Sequence, residues 1–443
     1  MSGQPQSPAG HSPTEAGGGA LRRHPPEVGE PSLRWRSRAR SLEGIEKELA
    51  RIWSEPNLTT VVDGTPGRHV AARTSVMNLV VVARRLETAE RCAATIQALT
   101  GRHPSRTIVA SPADPDGPSW LDAQIQAHCV LPREDAPEVC AETIYLTCGG
   151  ESGRHLEAVV APLLIHDLPV ALWWPGDPPF GSPAAAGLLA MADRLIVDGS
   201  SWSDDGLARL RQMAELASDR RLAIFDIALV RQARWREAIA SIFDMPDFLP
   251  YLRSLRRIAV TYATHDETGD PTATNVVKPV YHVAWLASRL GFAVVRPLVV
   301  VGGPKPRARS SATAGPIARG FAATLRDGRG EIAVVVRPVT SPMPGGTTLR
   351  VELLAERRGS ELRADVTAEQ ETVRVRVWQD GVEALDRYFQ APRRTDVDLI
   401  AEAIEAGGAD VVTRDAIRMA GALAGPVAGQ PAAARPGARL GRA

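Results

Sequence analysis

Three groups of residues have types and spacings that could do chemistry. Cys148-Gly149-Gly150-Glu151-Ser152-Gly153-Arg154-His155 is a glycine-rich turn between a strand-like run and a helix-like run. Such a turn can hold an anion on free backbone N–H groups at a helix N-terminus. Gly149, Gly150, Ser152, Gly153 and Arg154 would form that cradle. The simpler use of the same residues is a tight strand-to-helix turn with Ser152 as N-cap, since glycine is needed there for conformation alone. His166-Asp167 has the composition of an acid–base pair, but sequence neighbours on a loop rarely share a hydrogen bond, and geometry comes first in acid–base catalysis. His128-Cys129 with Cys140 and Cys148 could gather a metal, yet the spacing is irregular and cysteines in apolar strands behave as small hydrophobes. No Walker A, G-x-S-x-G, H-E-x-x-H or G-x-G-x-x-G sequence occurs. The motifs point away from an enzyme and imply neither a metal nor a cofactor.

A binding role rests on a different stretch, Leu168-Pro169-Val170-Ala171-Leu172-Trp173-Trp174-Pro175-Gly176. It reads as a short apolar strand stopped by Pro-Gly. Neighbouring side chains on a strand point to opposite faces, so the two rings cannot serve one core. Both can still be buried, one on each face, as large aromatics tend to be. Alternatively one ring is offered to a partner, because tryptophan is enriched at interfaces. Trp173, Trp174 and Pro175 are therefore the candidate partner-binding residues.

The elements around them alternate. Apolar strand-like runs at 75–83, 107–111, 125–131, 143–148, 170–174, 194–198 and 222–227 are interleaved with helical patterns at 86–99, 153–165, 184–191, 205–217 and 232–243. This predicts an α/β, Rossmann-like domain with a mostly parallel sheet covered on both faces. Ser41 is placed to cap a first helix with Ile45, Leu49, Ile52 and Trp53 on its apolar face. Near residue 245 the pattern changes. A strand at 257–264 and a helix at 278–290 lead into alternating strands at 349–356, 361–367 and 372–379, an antiparallel meander with one wet face. A helix pair at 396–406 and 414–423 is expected to cover the meander's other face. The expected organisation is a disordered tail over 1–40, an α/β domain over 41–245, an α+β domain over 246–423 and a disordered tail over 424–443.

Composition sets the outer bounds. With 443 residues, 44% of them hydrophobic, the chain can bury a sizeable core, and a net charge of +1 argues against a nucleic-acid partner. All but three of the 52 basic residues are arginine, the lysines being Lys47, Lys278 and Lys305. Cys92, Cys129, Cys140 and Cys148 show no C-x-x-C spacing, which speaks against a disulfide framework or zinc ribbon. The first residues lack the apolar core of a signal peptide, and no run approaches a membrane span. The expectation is a reduced, cytoplasmic protein with no membrane contact.

Several segments, in order, resemble the OpcA family of bacterial glucose-6-phosphate dehydrogenase assembly proteins. They are Met77-Asn78-Leu79-Val80-Val81, His103-Pro104-Ser105-Arg106, Leu121-Asp122-Ala123-Gln124, and Ala161-Pro162-Leu163-Leu164 running into the double-tryptophan stretch. Later come Asp193-Arg194-Leu195-Ile196-Val197-Asp198, Arg234-Trp235-Arg236-Glu237 and Ala284-Trp285-Leu286-Ala287-Ser288-Arg289-Leu290. The double tryptophan is the most specific of these. The resemblance implies a non-catalytic, allosteric assembly or activation factor whose partner is glucose-6-phosphate dehydrogenase, supporting the oxidative pentose phosphate pathway and NADPH supply. The first 40 residues lie outside it, and no cysteine follows Cys148 to serve a thiol switch in the C-terminal part. The competing reading is an α/β enzyme or sensor that binds a sugar phosphate or nucleotide on the Gly149–Gly153 turn.

Overall fold

The computed structural model describes residues 19–20, 28–54, 72–73, 75–133, 138–267, 270–302, 319–369, 371–406 and 410–425. Apart from residues 19–20 and 28–40, and 424–425, both expected tails lie outside these residues. The chain divides into two units, Met1–Pro169 and Val170–Ala443.

In the first unit, β1 (Ser32–Ala39), β2 (Met77–Val82), β3 (Ser105–Pro112), β4 (Trp120–Val130) and β5 (Val139–Gly149) lie in the order β1-β4-β5-β3-β2. The β5-β3-β2 part is parallel, and β1 and β4 run antiparallel. Strand β3 has parallel neighbours on both sides, and Ile108, Val109 and Ala110 are buried in succession, as a strand covered on both faces requires. Residues 32–39 correct the expected tail. Trp35 is fully buried opposite Ala127, and the interleaved arginines hide its period-2 pattern.

Helix α1 (Leu42–Ser54) buries Ile45, Leu49 and Ile52, and the Gly44 amide donates to Ser41 Oγ at 3.1 Å. Its Trp53 indole donates to Glu142 Oε2 at 2.5 Å. Glu142 is fully buried and also pairs with Arg106, whose Nη1 donates to the Leu163 carbonyl at 2.9 Å. Extra donors of this kind are what a buried carboxylate needs to offset its desolvation. Helix α2 (Leu86–Ala98) follows β2 as expected. The helix expected over 153–165 is broken into Glu151–Arg154, Leu156–Val160 and a 3-10 turn at Ala161–Leu163, where Pro162 cannot continue an α-helix.

The second unit begins with three parallel strands, β6 (Val170–Trp174), β7 (Arg194–Val197) and β8 (Ala223–Asp226). They alternate with α3 (Pro183–Met191), α4 (Leu207–Leu216) and α5 (Ala233–Phe243). An eight-stranded sheet follows. Its strands are β9 (Leu255–Thr264), β10 (Ala293–Val301), β11 (Gly320–Arg326), β12 (Glu331–Thr340), β13 (Thr348–Arg357), β14 (Ser360–Glu369), β15 (Thr372–Gln379) and β16 (Val382–Gln390). Their order is β10-β11-β12-β9-β13-β14-β15-β16, antiparallel except for the β9–β12 pair. Helix α6 (Val277–Leu290) contacts β9 and also the turns after β7 and β8. It ties the parallel strands to the large sheet, so the division between units falls at Pro169 and not near residue 245.

The chain is α/β with a mostly parallel sheet and a second, mixed sheet carrying the expected meander. The last helices depart from expectation. α8 (Val411–Ala424) packs on α4 and α6, with Arg211 Nη1 donating to the Ala424 carbonyl at 2.8 Å, and α7 (Asp396–Glu405) meets the turn after β8. The inner face of the meander is covered by α5 and α6 instead. Its other face carries interlaced charge. Arg350 pairs with Asp365 and Arg374 with Asp386, both at 2.7 Å, and the guanidinium groups of Arg363 and Arg376 each lie over the Trp378 ring. Among the described residues, no helix is long and apolar enough to cross a membrane.

Candidate functional site

Parallel strands present their carboxyl ends to ligands and partners, so the double tryptophan at the end of β6 is the first place to look. Neither ring is offered. Trp173 is 5% exposed and Trp174 2%, Pro175 is buried, and both indole N–H groups lack an acceptor among the described residues. Trp174 packs edge-on against Phe180 with ring centroids 5.7 Å apart. Alternation sends the two rings to opposite faces, and both faces are covered. This corrects the expectation of a partner-facing ring.

An aspartate follows β7 directly (Asp198) and another closes β8 (Asp226), and these two acids organise the site. Asp198 accepts from Arg231 at 2.5 Å and from the Ser200 amide at 3.1 Å, and Arg231 reaches on to Asp396 at 3.1 Å. Asp226 is fully buried. Its Oδ1 accepts from the amides of Gly199 at 2.9 Å and Ala228 at 2.8 Å, and its Oδ2 accepts from the Tyr281 hydroxyl at 2.6 Å. Burial pushes the Asp226 carboxyl up to about 7, against the pull of these donors, and drives the Tyr281 hydroxyl well above its ordinary value.

The next residue of α6, His282, is fully buried beside Trp235, with neither ring nitrogen hydrogen-bonded among the described residues. Burial brings it down to about 3. A Cβ on Gly199 would lie 2.7 Å from both Asp226 Oδ2 and Val277 Cγ1. The space at these carboxyl ends is thus taken by the chain's own side chains. The Asp226 carboxyl, with 0% exposure, is bonded to the chain's own groups, and this cluster fixes the turns after β7 and β8. Sequence reasoning passed over Asp226 and Tyr281. The available signal was an acid closing each of two apolar strands, Leu195-Ile196-Val197-Asp198 and Ile224-Phe225-Asp226.

The glycine-rich turn is closed on itself. Gly150, at φ 58°, donates to the Asp114 carbonyl at 3.0 Å, and the amides of Gly153 and Arg154 both donate to the Gly150 carbonyl at 3.0 Å. Arg154 reaches the Pro115 carbonyl and Glu151, each at 2.5 Å. Ser152 shares a hydrogen bond with Ser119, and Gly150, not Ser152, holds the N-cap position of a four-residue helix. A Cβ on Gly149 would strike the Trp120 ring at 2.4 Å, and one on Gly150 would strike the Gly117 carbonyl at 2.6 Å. Close approach and the left-handed conformation explain both glycines without an anion. His166 and Asp167 are exposed, with Asp167 at φ 66°.

The cysteines also depart from expectation. Cys129 and Cys140 are directly opposite in β4 and β5, with Cα atoms 4.0 Å apart, and form a disulfide. A pair 11 residues apart carries no recognisable spacing; the antiparallel register creates it. The reading of a wholly reduced chain without disulfides is corrected accordingly. Glu138 places a carboxylate oxygen within 4.8 Å of both sulfurs, but it pairs with Arg34 at 2.9 Å, and bonded sulfurs are not thiolates. This donor set does not fit a metal. Cys148 stands apart, its thiol pushed up to about 11 by burial, and His128 is brought down to about 4 by burial and by Arg36.

Known proteins bear on this arrangement in three ways. A protein from Nostoc punctiforme, described as an OxPP cycle protein OpcA, is 27% identical over 192 residues, 43% of this chain and 38% of its own length. A Synechocystis protein of the same description is 27% identical over 198 residues, 44% of this chain and 39% of its own. The chain thus matches well under half the length of these curated relatives. Among solved structures, an oxidoreductase from Sinorhizobium meliloti is similar with a TM-score of 0.44 and 12% identity, over 79% of this chain and 95% of that one. A likeness that loose carries nothing about chemistry. Family models are more decisive. The glucose-6-phosphate dehydrogenase subunit N-terminal domain matches residues 96–215, and the corresponding C-terminal domain matches residues 222–417. With most of its length matched by these two models, the chain belongs to the OpcA family, which carries these glucose-6-phosphate dehydrogenase subunit domains.

Proposed function

We propose that this protein binds glucose-6-phosphate dehydrogenase and promotes its assembly or activity without itself catalysing a reaction. The observation that carries this reading is the match of both subunit domains, residues 96–215 and 222–417, in one chain. The buried polar cluster around Asp226 supports it, because the strand ends that would hold a substrate in an α/β enzyme are filled by the chain's own side chains. The protein's place is then in the cytoplasm, supporting the oxidative pentose phosphate route and NADPH supply.

The test is a titration of the cognate dehydrogenase with purified protein, following the rate of NADP reduction and the mass distribution together. The expected result is a saturable rise in rate or in the higher oligomer, with no NADP reduction by the protein alone. A titration that moves neither quantity overturns the proposal.

A further inference from the structure

The large sheet of the second unit carries a feature that the proposed function does not use. At one end of that sheet is an open cleft of about 450 Å³ lined by Leu249, Pro250, Leu252, Arg253, Arg329 and Arg357. Sheet order brings the arginines together. Arg253 stands just before β9, Arg329 in the turn entering β12 and Arg357 at the end of β13, and these strands are adjacent in the order β12-β9-β13. Neighbouring strands lie roughly 4.8 Å apart, so three arginines from distant parts of the sequence line one cleft.

None of the three has a carboxylate within ion-pair distance among the described residues, whereas Arg326, Arg350, Arg363 and Arg374 of the same sheet all have one. Asp327, the nearby acid in the turn, uses Oδ1 to accept the amides of Arg329 and Gly330.

The walls are held in place. Tyr251, buried in the 3-10 turn Leu249–Ser254, hydrogen-bonds to Ser360 Oγ at 2.7 Å and receives Gln379 Nε2 at 3.2 Å. Arg329 Nη1 donates to the Arg253 carbonyl at 2.7 Å, which fixes one edge of its fork and leaves the remaining donors for a ligand. Leu249 is 53% exposed and forms, with Pro250 and Leu252, an apolar wall beside the cations. Arginines without carboxylate partners lining one cleft suit phosphate oxygens, which arginine binds in bidentate fashion. The size falls within the ordinary range for small-molecule sites, about 300–1,000 Å³.

The geometry points to a binding site for a small organic phosphate, its phosphate groups on Arg253, Arg329 and Arg357 and its apolar part on Leu249, Pro250 and Leu252. This stands independently of dehydrogenase binding.

Isothermal titration of the full chain with inorganic pyrophosphate, ADP and glucose 6-phosphate tests it, at low and high salt. At least one probe should bind, and more weakly at high salt. Binding should fall about tenfold or more in each of Arg253→Gln, Arg329→Gln and Arg357→Gln, with the melting temperature kept. Equal affinity for pyrophosphate and ADP assigns recognition to phosphate alone. A preference for ADP adds the apolar wall, and a preference for glucose 6-phosphate assigns a sugar monophosphate. Should a glutamine variant fail to fold, the matching Arg→Lys variant keeps the charge and should bind more weakly than the parent. Absence of binding by all three probes overturns the site, as does unchanged binding in the folded glutamine variants. Loss of dehydrogenase association in these variants, with no phosphate binding by the parent, also overturns it and makes the cleft a protein contact.

Discussion

The Tyr281 hydroxyl lies 2.6 Å from Asp226 Oδ2, so a residue on helix α6 completes the hydrogen bonding of a fully buried carboxyl at the end of strand β8. The two backbone donors, from Gly199 and Ala228, both use the other oxygen. The pair therefore joins the turn after β7, the end of β8 and the helix that packs on the large sheet.

Because burial raises the Asp226 carboxyl from 3.8 to about 7, the folded state holds its proton over a range where the unfolded chain has lost it. Its contribution to stability is fully present below about pH 4, declines as pH rises toward 7, and is level above that. Asp226→Asn should flatten this decline. The amide oxygen can keep both backbone donors while the amide nitrogen donates to Tyr281 Oη. Urea midpoints at pH 4.5 and 7.5 check it; an unchanged difference between parent and variant counts against the assignment. Tyr281→Phe should instead cost about 1–3 kcal/mol, by leaving Oδ2 without its hydrogen-bond partner.

His282 acts with the opposite sign. Burial holds it at about 3 when folded against 6.5 when exposed, so its contribution is present above pH 6.5 and is lost as pH falls toward 3. His282→Phe should make the acid limb of the stability curve shallower, and should not weaken the fold at pH 7 by more than about 1 kcal/mol, since the ring nitrogens it removes make no hydrogen bond. His128, brought down to about 4, adds a second contribution of the same sign, so the double variant should be flatter still. Melting temperatures between pH 4 and 7 give the comparison.

Legibility in the sequence followed burial pattern. Strand β6 occupies the span its apolar run suggests, because a buried parallel strand bounded by proline has a sharp signal. β1 was hidden by arginines in an otherwise alternating pattern. β16 is exposed along nearly its whole length and so has no apolar face to read. At the site, the carboxyl-terminal aspartates were visible but their partners were not. Asp226 and Tyr281 are 55 residues apart, and Arg253, Arg329 and Arg357 meet only because β12, β9 and β13 are neighbours. Spacing rules cannot see contacts made by sheet order.

The Cys129–Cys140 bond closes a loop of 11 residues, and loop closure of that size is worth about 2–4 kcal/mol. Protein unfolded without reductant should therefore expose two reactive thiols, and four after reduction. Cys129→Ser with Cys140→Ser should lower the unfolding free energy by that amount, read from denaturant curves, and reductant should have little further effect on the double variant. Four thiols before reduction would show the pair to be open.

The tryptophan pair gives the sharpest division between a structural and a partner-binding role. Trp173 and Trp174 are both buried although they face opposite sides of β6, so each alanine variant should cost about 3–5 kcal/mol. Both melting temperatures should fall sharply. Dehydrogenase association, measured well below those temperatures, should then follow the folded fraction. Trp173→Phe and Trp174→Phe keep most of the buried volume and should retain both fold and association. A Trp173→Ala or Trp174→Ala protein that melts like the parent but no longer binds the dehydrogenase would mean that the ring is released to the partner on assembly. The contact surface would then lie at the end of β6 after all.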